Sequence, residues 1–390
     1  NIRTMLRLGL MDSSERNPYR DMEFTDVAPW ATAEHKDLAR QVTRKSVVLL
    51  KNEGGLLPLD KKEVRKIAVI GNRAESVLKD WYGALPAYSV SALEGIKAAV
   101  EDEDVEVRFQ AWDSDGKAQE LAAWADVAIV CVGNHPMTSP DWKWEKIQAP
   151  WGEGTVAGDG REAVDRKSLE LESEDLIKMV WKANPNTIVA LISSFPYTID
   201  WTQEHVPSIL HVSQCSQELG NALADVIFGD YNPAGRTTQT WVKDILDLPG
   251  MLDYDIRNGR TYMYFKGEPL YPFGYGLSYT SFEYSRLKVR CQEDSVRLSF
   301  DLSNTGGRDG EEVVQLYVRF PGDDAAMRLR GFERVPVSEG ETVRIDLVVP
   351  FEDLKLWDTE AGAFGLAGGR YEFLIGASSE DIRLSDSVAL

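Results

Sequence analysis

The chain has 390 residues, 43% of them hydrophobic and 27% charged, which is a globular balance. No apolar run in it approaches the ~20 residues of a membrane span. The formal net charge of −20 argues against nucleic acid as a partner and suits a neutral substrate better than a polyanionic one.

Residues 1–44 are mostly polar, with Pro18 and Pro29, and read as a connector. The chain opens on Asn1, and its first nine residues, with Arg3 and Arg7, are too short and too charged for a signal peptide. The expectation is a polypeptide that begins further upstream, where any targeting signal would lie. An apolar run at 47–50, a Gly54-Gly55 turn and Leu56-Leu57-Pro58-Leu59 read as strand, turn and anchor. From Lys66 two signals alternate. Residues 67–70 form a short apolar run ended by Gly71, 91–100 are helix-like, 105–109 strand-like, 117–124 helical, and 126–133 a second buried strand. Ser173 can cap a helix to Ala183, which Asn184-Pro185 stops. Strands follow at 187–193 and 208–213. Leu219, Ala222, Leu223, Val226 and Ile227 then recur at helical spacing, and Gly229 closes that helix. This alternation predicts an α/β domain over 45–245, with a mostly parallel sheet covered on both faces.

Residues 246–285 belong to a connector rich in Tyr, Pro and Gly. Beyond it the period changes to two. Val296, Leu298, Phe300 and Leu302 alternate with polar residues, as do Val314, Leu316, Val318 and Phe320, and Val343, Ile345, Leu347 and Val349. With glycine-rich turns between the runs, 286–390 is predicted to be an antiparallel β-sandwich.

Several chemistries are poorly supported. Gly71-Asn72-Arg73 follows a strand but lacks the further glycines of a dinucleotide loop. The four histidines, His35, His135, His205 and His211, have no metal-ligand spacing, and no Gly-x-Ser-x-Gly elbow occurs. Neither a metal nor an organic cofactor is expected. Cys131, Cys215 and Cys291 form no disulfide framework or zinc pattern, and Cys131, inside an apolar run, is expected to be a buried, inert thiol.

The informative segment is 133–166. It begins at the carboxyl end of the predicted strand 126–133, where open α/β sheets bind ligands. It is longer than the ~15 residues beyond which loops are usually functional or disordered. Trp142, Trp144 and Trp151 offer indole faces that stack on sugar rings; the competing role is to pin the segment to its own domain. Glu162, Glu145, Glu153 and Asp159 are its candidate carboxylates for acid–base chemistry on a glycosidic bond, against a default of solvated side chains.

Here the sequence resembles the family 3 glycoside hydrolases. Their second domain commonly carries Glu-Gly-x-Asp-Arg, and Glu162 stands three residues before Asp165-Arg166, with Leu169-Glu170-Leu171 following as in the family. Ser46-Val47-Val48-Leu49-Leu50-Lys51-Asn52, the stretch 222–235 ending in Asp230-Tyr231-Asn232-Pro233-Ala234-Gly235, and 269–280 around Pro272-Phe273-Gly274-Tyr275-Gly276 match further motifs in the family's order. Departures are Cys215-Ser216-Gln217-Glu218-Leu219-Gly220, Thr237-Thr238 after Gly235-Arg236, and Ala163 where the family has glycine.

The resemblance implies a β-glucosidase or β-xylosidase type enzyme acting by retention on terminal, non-reducing β-linked sugars. Glu162 would be its general acid/base, with Glu153, in Trp151-Gly152-Glu153-Gly154, as second candidate. Trp142 and Trp144 would contact substrate. It also implies an N-terminal (β/α)8 barrel carrying the nucleophilic Asp, usually in Ser-Asp-Trp. That tripeptide is absent here, and Asp200-Trp201 resembles a structural segment of the second domain. Residues 1–20 resemble the linker leaving the barrel, and the last hundred the family's fibronectin type III-like domain. The expected partners are a β-linked glycoside and the barrel half; a second copy of the chain stays open. The rival reading is a non-catalytic carbohydrate-binding or scaffolding unit.

Overall fold

The structure is a computed structural model that describes residues 1–16, 28–75, 77, 86–112, 115–134, 169–171, 173–213 and 216–390. Strands β1 (Val48–Asn52), β2 (Lys66–Ile70), β3 (Glu106–Gln110), β4 (Val127–Gly133), β5 (Thr187–Ile192) and β6 (Ser208–Val212) form one sheet in the order β1-β6-β5-β4-β2-β3. All neighbours are parallel except β1, which runs antiparallel to β6. Every residue of β4 and β5 is buried, which is why both read as unbroken apolar runs.

Successive side chains point to opposite faces, so each strand feeds two cores. Ile129, Cys131, Ile188 and Ala190 face the helices Ala92–Ala99 and Leu219–Ile227, through Ile96 and Leu223. Ala128, Val130, Val189 and Leu191 face the helices Lys117–Trp124 and Glu174–Ala183, through Ala122 and Ile177. Ser91 and Glu94 form a reciprocal capping box on the first of these helices. Ser173 sits at the N-cap of Glu174–Ala183, but its side chain makes no capping bond. Asn184 ends that helix as expected, and its buried amide donates to the carbonyls of Ala122 and Ala125 at 3.0 and 2.8 Å. Cys131 is fully buried, and burial pushes its thiol up to about 12.

The stretch read as a connector carries helical structure, a short helix at Ile2–Arg7 and a longer one beyond Thr32. Ala33–Ser46 is a 14-residue helix, and Thr32 caps it by accepting from the His35 amide. Its Leu38 and Val42, four residues apart on one face, are exposed, so apolar burial is not what holds it. Its anchor is ionic: Arg40 pairs with Asp225, a carboxylate 3% exposed on a largely apolar helix. An ionic anchor to a residue 185 positions away leaves no mark in the local sequence.

The second domain packs sheet β10 (Arg328–Val337), β9 (Gly310–Arg319), β14 (Arg370–Gly376), β15 (Ile382–Ala389) on sheet β11 (Thr342–Pro350), β8 (Ser295–Asn304), β7 (Phe282–Cys291). A small hairpin, β12 (Leu356–Asp358) and β13 (Ala363–Gly365), completes it. Leu298 and Phe300 from one sheet meet Leu316, Val318 and Phe373 from the other. The other face of β9 is covered too. Gln315 donates to the carbonyls of Gly274 and Ala377 at 2.9 and 2.6 Å, and Tyr317 packs under Tyr262, which stacks on Phe273.

The domains meet on charge. Arg236, 8% exposed, bonds Glu312, 5% exposed, at 3.0 Å, and Tyr284 donates to the same carboxylate at 2.9 Å. Beside this pair Arg334 and Tyr231 both bond Glu311, and Arg334 also donates to the Lys45 carbonyl at 2.8 Å. Asn232 accepts from the Tyr279 amide and donates to the Asp309 carbonyl.

An unpaired buried charge is the costliest defect this junction can acquire. Arg236→Met or Glu312→Leu should each lower the free energy of unfolding by about 3–5 kcal/mol in urea titrations, and the double replacement should regain most of it. Single variants within 1 kcal/mol of the parent would show, on the same scale, that the pair does not hold the domains together.

Candidate active site

The parallel strands end together at Ile70, Gly133, Ile192 and Val212, and the antiparallel β1 starts at the same edge, Val48 opposite His211. At Gly133 the backbone turns at φ +137°, and a Cβ there would lie 1.9 Å from the Ile192 carbonyl oxygen, so only glycine fits. The next residue, Asn134, is fully buried. Its Oδ1 accepts from the Ser194 amide at 3.1 Å and its Nδ2 reaches the Ser194 hydroxyl at 3.4 Å. This fastens the end of β4 to the end of β5, the point from which residues 135–168 leave.

The far end of that segment is fastened as firmly. The Leu169 carbonyl accepts from the Thr198 amide at 2.9 Å, Glu170 bridges Thr198, and Leu171 is in the core. Glu174 then accepts from both the hydroxyl and the amide of Thr202, at 2.9 and 3.2 Å. The sequence candidates Glu162, Glu153, Glu145, Asp159, Trp142, Trp144 and Trp151 fall within 135–168 and lie outside the described residues, as does Cys215. Asp200-Trp201 opens the short helix Asp200–His205, where Trp201 stacks on His205 at 4.3 Å and meets Trp181 edge-on.

Along the same edge, beyond β5 and β6, a cleft of about 660 Å³ opens between the α/β domain, the helix Ala33–Ser46 and strands β9 and β10. Ser194, His211, Trp241 and Arg236 line it from one domain, Phe332 and Arg334 from the other. His211 keeps part of its surface toward the cleft, yet it is crowded enough that desolvation pushes its pKa down to about 4, against a raising contribution from Ser193. Its Nε2 lies 3.1 Å from the Ser193 hydroxyl and its ring meets Trp241 edge-on at 5.3 Å. A neutral imidazole therefore stands beside an indole at neutral pH. The sequence pointed to neither Asn134 nor this role for His211. The available signal was position, since both sit at the carboxyl ends of buried strands.

The fold and its edge define a two-domain protein, an α/β sheet with its long insertion after β4 followed by a fibronectin-type sandwich. Residues 47–279 match the family model of the glycosyl hydrolase family 3 C-terminal domain, and residues 312–379 that of a fibronectin type III-like domain. The chain belongs to glycoside hydrolase family 3. A beta-xylosidase of Formosa agariphila is 30% identical over 406 residues, covering 96% of this chain and 52% of that protein. A xylan 1,4-beta-xylosidase of Xylanibacter ruminicola is 38% identical over 293 residues, covering 71% of this chain and 33% of that protein. The crystal structure of beta-D-glucoside glucohydrolase from Trichoderma reesei aligns with a TM-score of 0.82 at 26% identity, over 95% of this chain and 58% of that one. The chain spans about half the length of the curated relatives it matches.

His211 makes stability depend on pH. Above its ordinary value of 6.5 the imidazole is neutral in both folded and unfolded chains. As pH falls from 6.5 to about 4, the unfolded chain takes up the proton first, so folding stability is lost across that window. The loss should approach something on the order of 3 kcal/mol. His211→Gln should flatten the profile of unfolding free energy between pH 6.5 and 4.5 relative to the parent; identical slopes would mean the histidine titrates normally.

Proposed function

We propose that this chain supplies the general acid/base for retaining hydrolysis of terminal, non-reducing β-D-glucosides or β-D-xylosides. Glu162 is the residue assigned to that role. The observation that carries the proposal is the anchorage at Asn134 and Leu169: the segment bearing Glu162 is rooted at both ends at the edge of the sheet where ligands bind. Membership of the family and relatives named beta-xylosidases and beta-glucosidases support the substrate class.

The reaction takes two steps. Glu162 gives its proton to the glycosidic oxygen as the bond to the anomeric carbon breaks, and that carbon bonds to an Asp on an N-terminal (β/α)8 barrel. Glu162, now a carboxylate, takes a proton from water, whose oxygen attacks the anomeric carbon and releases the barrel Asp. Trp142 and Trp144 would border the sugar, and Glu153 is the second candidate for the acid. No metal or organic cofactor enters either step.

With the barrel half present, Glu162→Ala should slow hydrolysis of unactivated disaccharides by the ~100- to 10,000-fold typical of lost acid–base catalysis. A dinitrophenyl glycoside needs no protonation, so its first step should survive and the glycosyl-enzyme should accumulate. Azide should then speed turnover and yield the β-glycosyl azide. Full activity in Glu162→Ala, with the azide effect in Glu153→Ala, would move the role to Glu153. The 390-residue chain alone should give no turnover of aryl glycosides above a buffer blank; turnover by it would place a nucleophile within this sequence, and sugar binding without any turnover after reassembly would favour the scaffolding reading.

A further inference from the structure

The cleft beside β5 and β6 has a sign opposite to that of the protein. The chain carries 63 Asp and Glu against 43 Lys and Arg, yet among the described residues lining the cleft none is acidic, while Lys45, Arg236 and Arg334 are basic. The carboxylates behind them do not balance these three. Glu312 is taken by Arg236. Glu311 is shared, at 3.1 Å from Arg334 and 3.5 Å from Lys45. Among the described residues, three cations over two carboxylates leave one positive charge. Arg236 is nearly buried and its Nε has no hydrogen-bond partner. His211, neutral at physiological pH, adds no charge of its own.

The walls combine apolar surface with hydroxyl and amide groups. Phe332 is 69% exposed, and it faces the cleft because it pairs opposite Gln315, on the side of β9 turned away from the sandwich core. The register slips between Leu329 and Gly331, so Leu329, Phe332 and Arg334 share one face, with Phe332 opposite Gln315 and Arg334 opposite Val313. A bulge of this kind re-aims side chains at a functional edge. Trp241 and Phe195 supply further apolar surface, and Ser194, Thr238 and Gln239 supply hydroxyl and amide groups. The volume falls inside the ~300–1,000 Å³ of ordinary ligand pockets.

We infer that this interdomain cleft is an accessory binding site for a saccharide bearing a single carboxylate, an oligosaccharide substituted with a uronic acid. The sugar's C–H face lies on Phe332, and its carboxylate meets Lys45 and Arg334. The saccharide class rests on the glycosidase reading; the cleft and its charge stand without it.

Calorimetric titration of the 390-residue chain tests this, with xylotriose and with xylotriose carrying one glucuronic acid. The acidic ligand should bind at least about tenfold more tightly than the neutral one, the yield of one charge-assisted bond. That advantage should shrink in high salt. Lys45→Gln should remove most of it while leaving neutral binding alone, and Phe332→Ala, at an exposed position that should not disturb folding, should weaken both ligands. Glu162→Ala should change neither, which keeps this site apart from the acid/base assignment. Equal affinity for the two ligands, no heat with the acidic one, or indifference to Phe332→Ala overturns the proposal. Binding abolished by Glu162→Ala would place the ligand elsewhere and overturn it as well.

Discussion

Arg236 and Glu312 are both held out of water, one on each domain, and neither can stay there without the other. This fixes more than a contact. Glu312 lies near the start of β9, so docking Arg236 there sets where that strand lies against the α/β domain. With the strand so placed, Gln315 and Tyr317 are buried against the connector while Leu316 and Val318 fill the sandwich, and the strand loses its solvent face altogether. Tyr284 completes the arrangement, its own ionisation suppressed by burial and by the carboxylate it bonds. The wall formed by β9 and β10 is therefore one side of the cleft, placed by this buried pair together with the bonds of Arg334 and Tyr231 to Glu311.

The sheet contributes the other constraint. Strands buried on both faces must be apolar throughout, which leaves chemistry to their ends. At the carboxyl edge the chain changes character within one residue, from core to buried polar side chains such as Asn134 and Ser193. These side chains spend their hydrogen-bonding capacity on neighbouring strand ends, which holds the roots of the 135–168 segment in register. A proton donor for glycoside cleavage needs such support, because a misplacement near 1 Å can cost ~100-fold in rate.

Charge is distributed with the same economy. Across a strongly acidic chain, the buried carboxylates Asp225 and Glu312 and the half-buried Glu311 each have a basic partner from another element. Those pairings draw Arg40, Lys45, Arg236 and Arg334 toward the interior seams. The cleft inherits its positive character from residues whose first role is to tie helix Ala33–Ser46 and the two domains together.

Much of this could be read from the residues in order. The runs at β2, β4, β5 and β6, the helical spacing from Leu219 to Ile227 and the alternation through β8, β9 and β11 are local patterns, each set by the face its own element must bury. The ordered motifs carried the family and singled out Glu162 as the candidate acid/base. What tertiary structure decided was polar and distant. Helix Ala33–Ser46 is fastened by Arg40 to Asp225, 185 positions away, and Arg334 reaches the Lys45 carbonyl across 289. The second buried face of β9 looked like the solvent side of an alternating strand until the connector covered it. A hydrophobic period records what a segment buries against its own neighbours, whereas an ion pair between remote segments leaves no period at all, and so the cleft they build had to be seen in three dimensions.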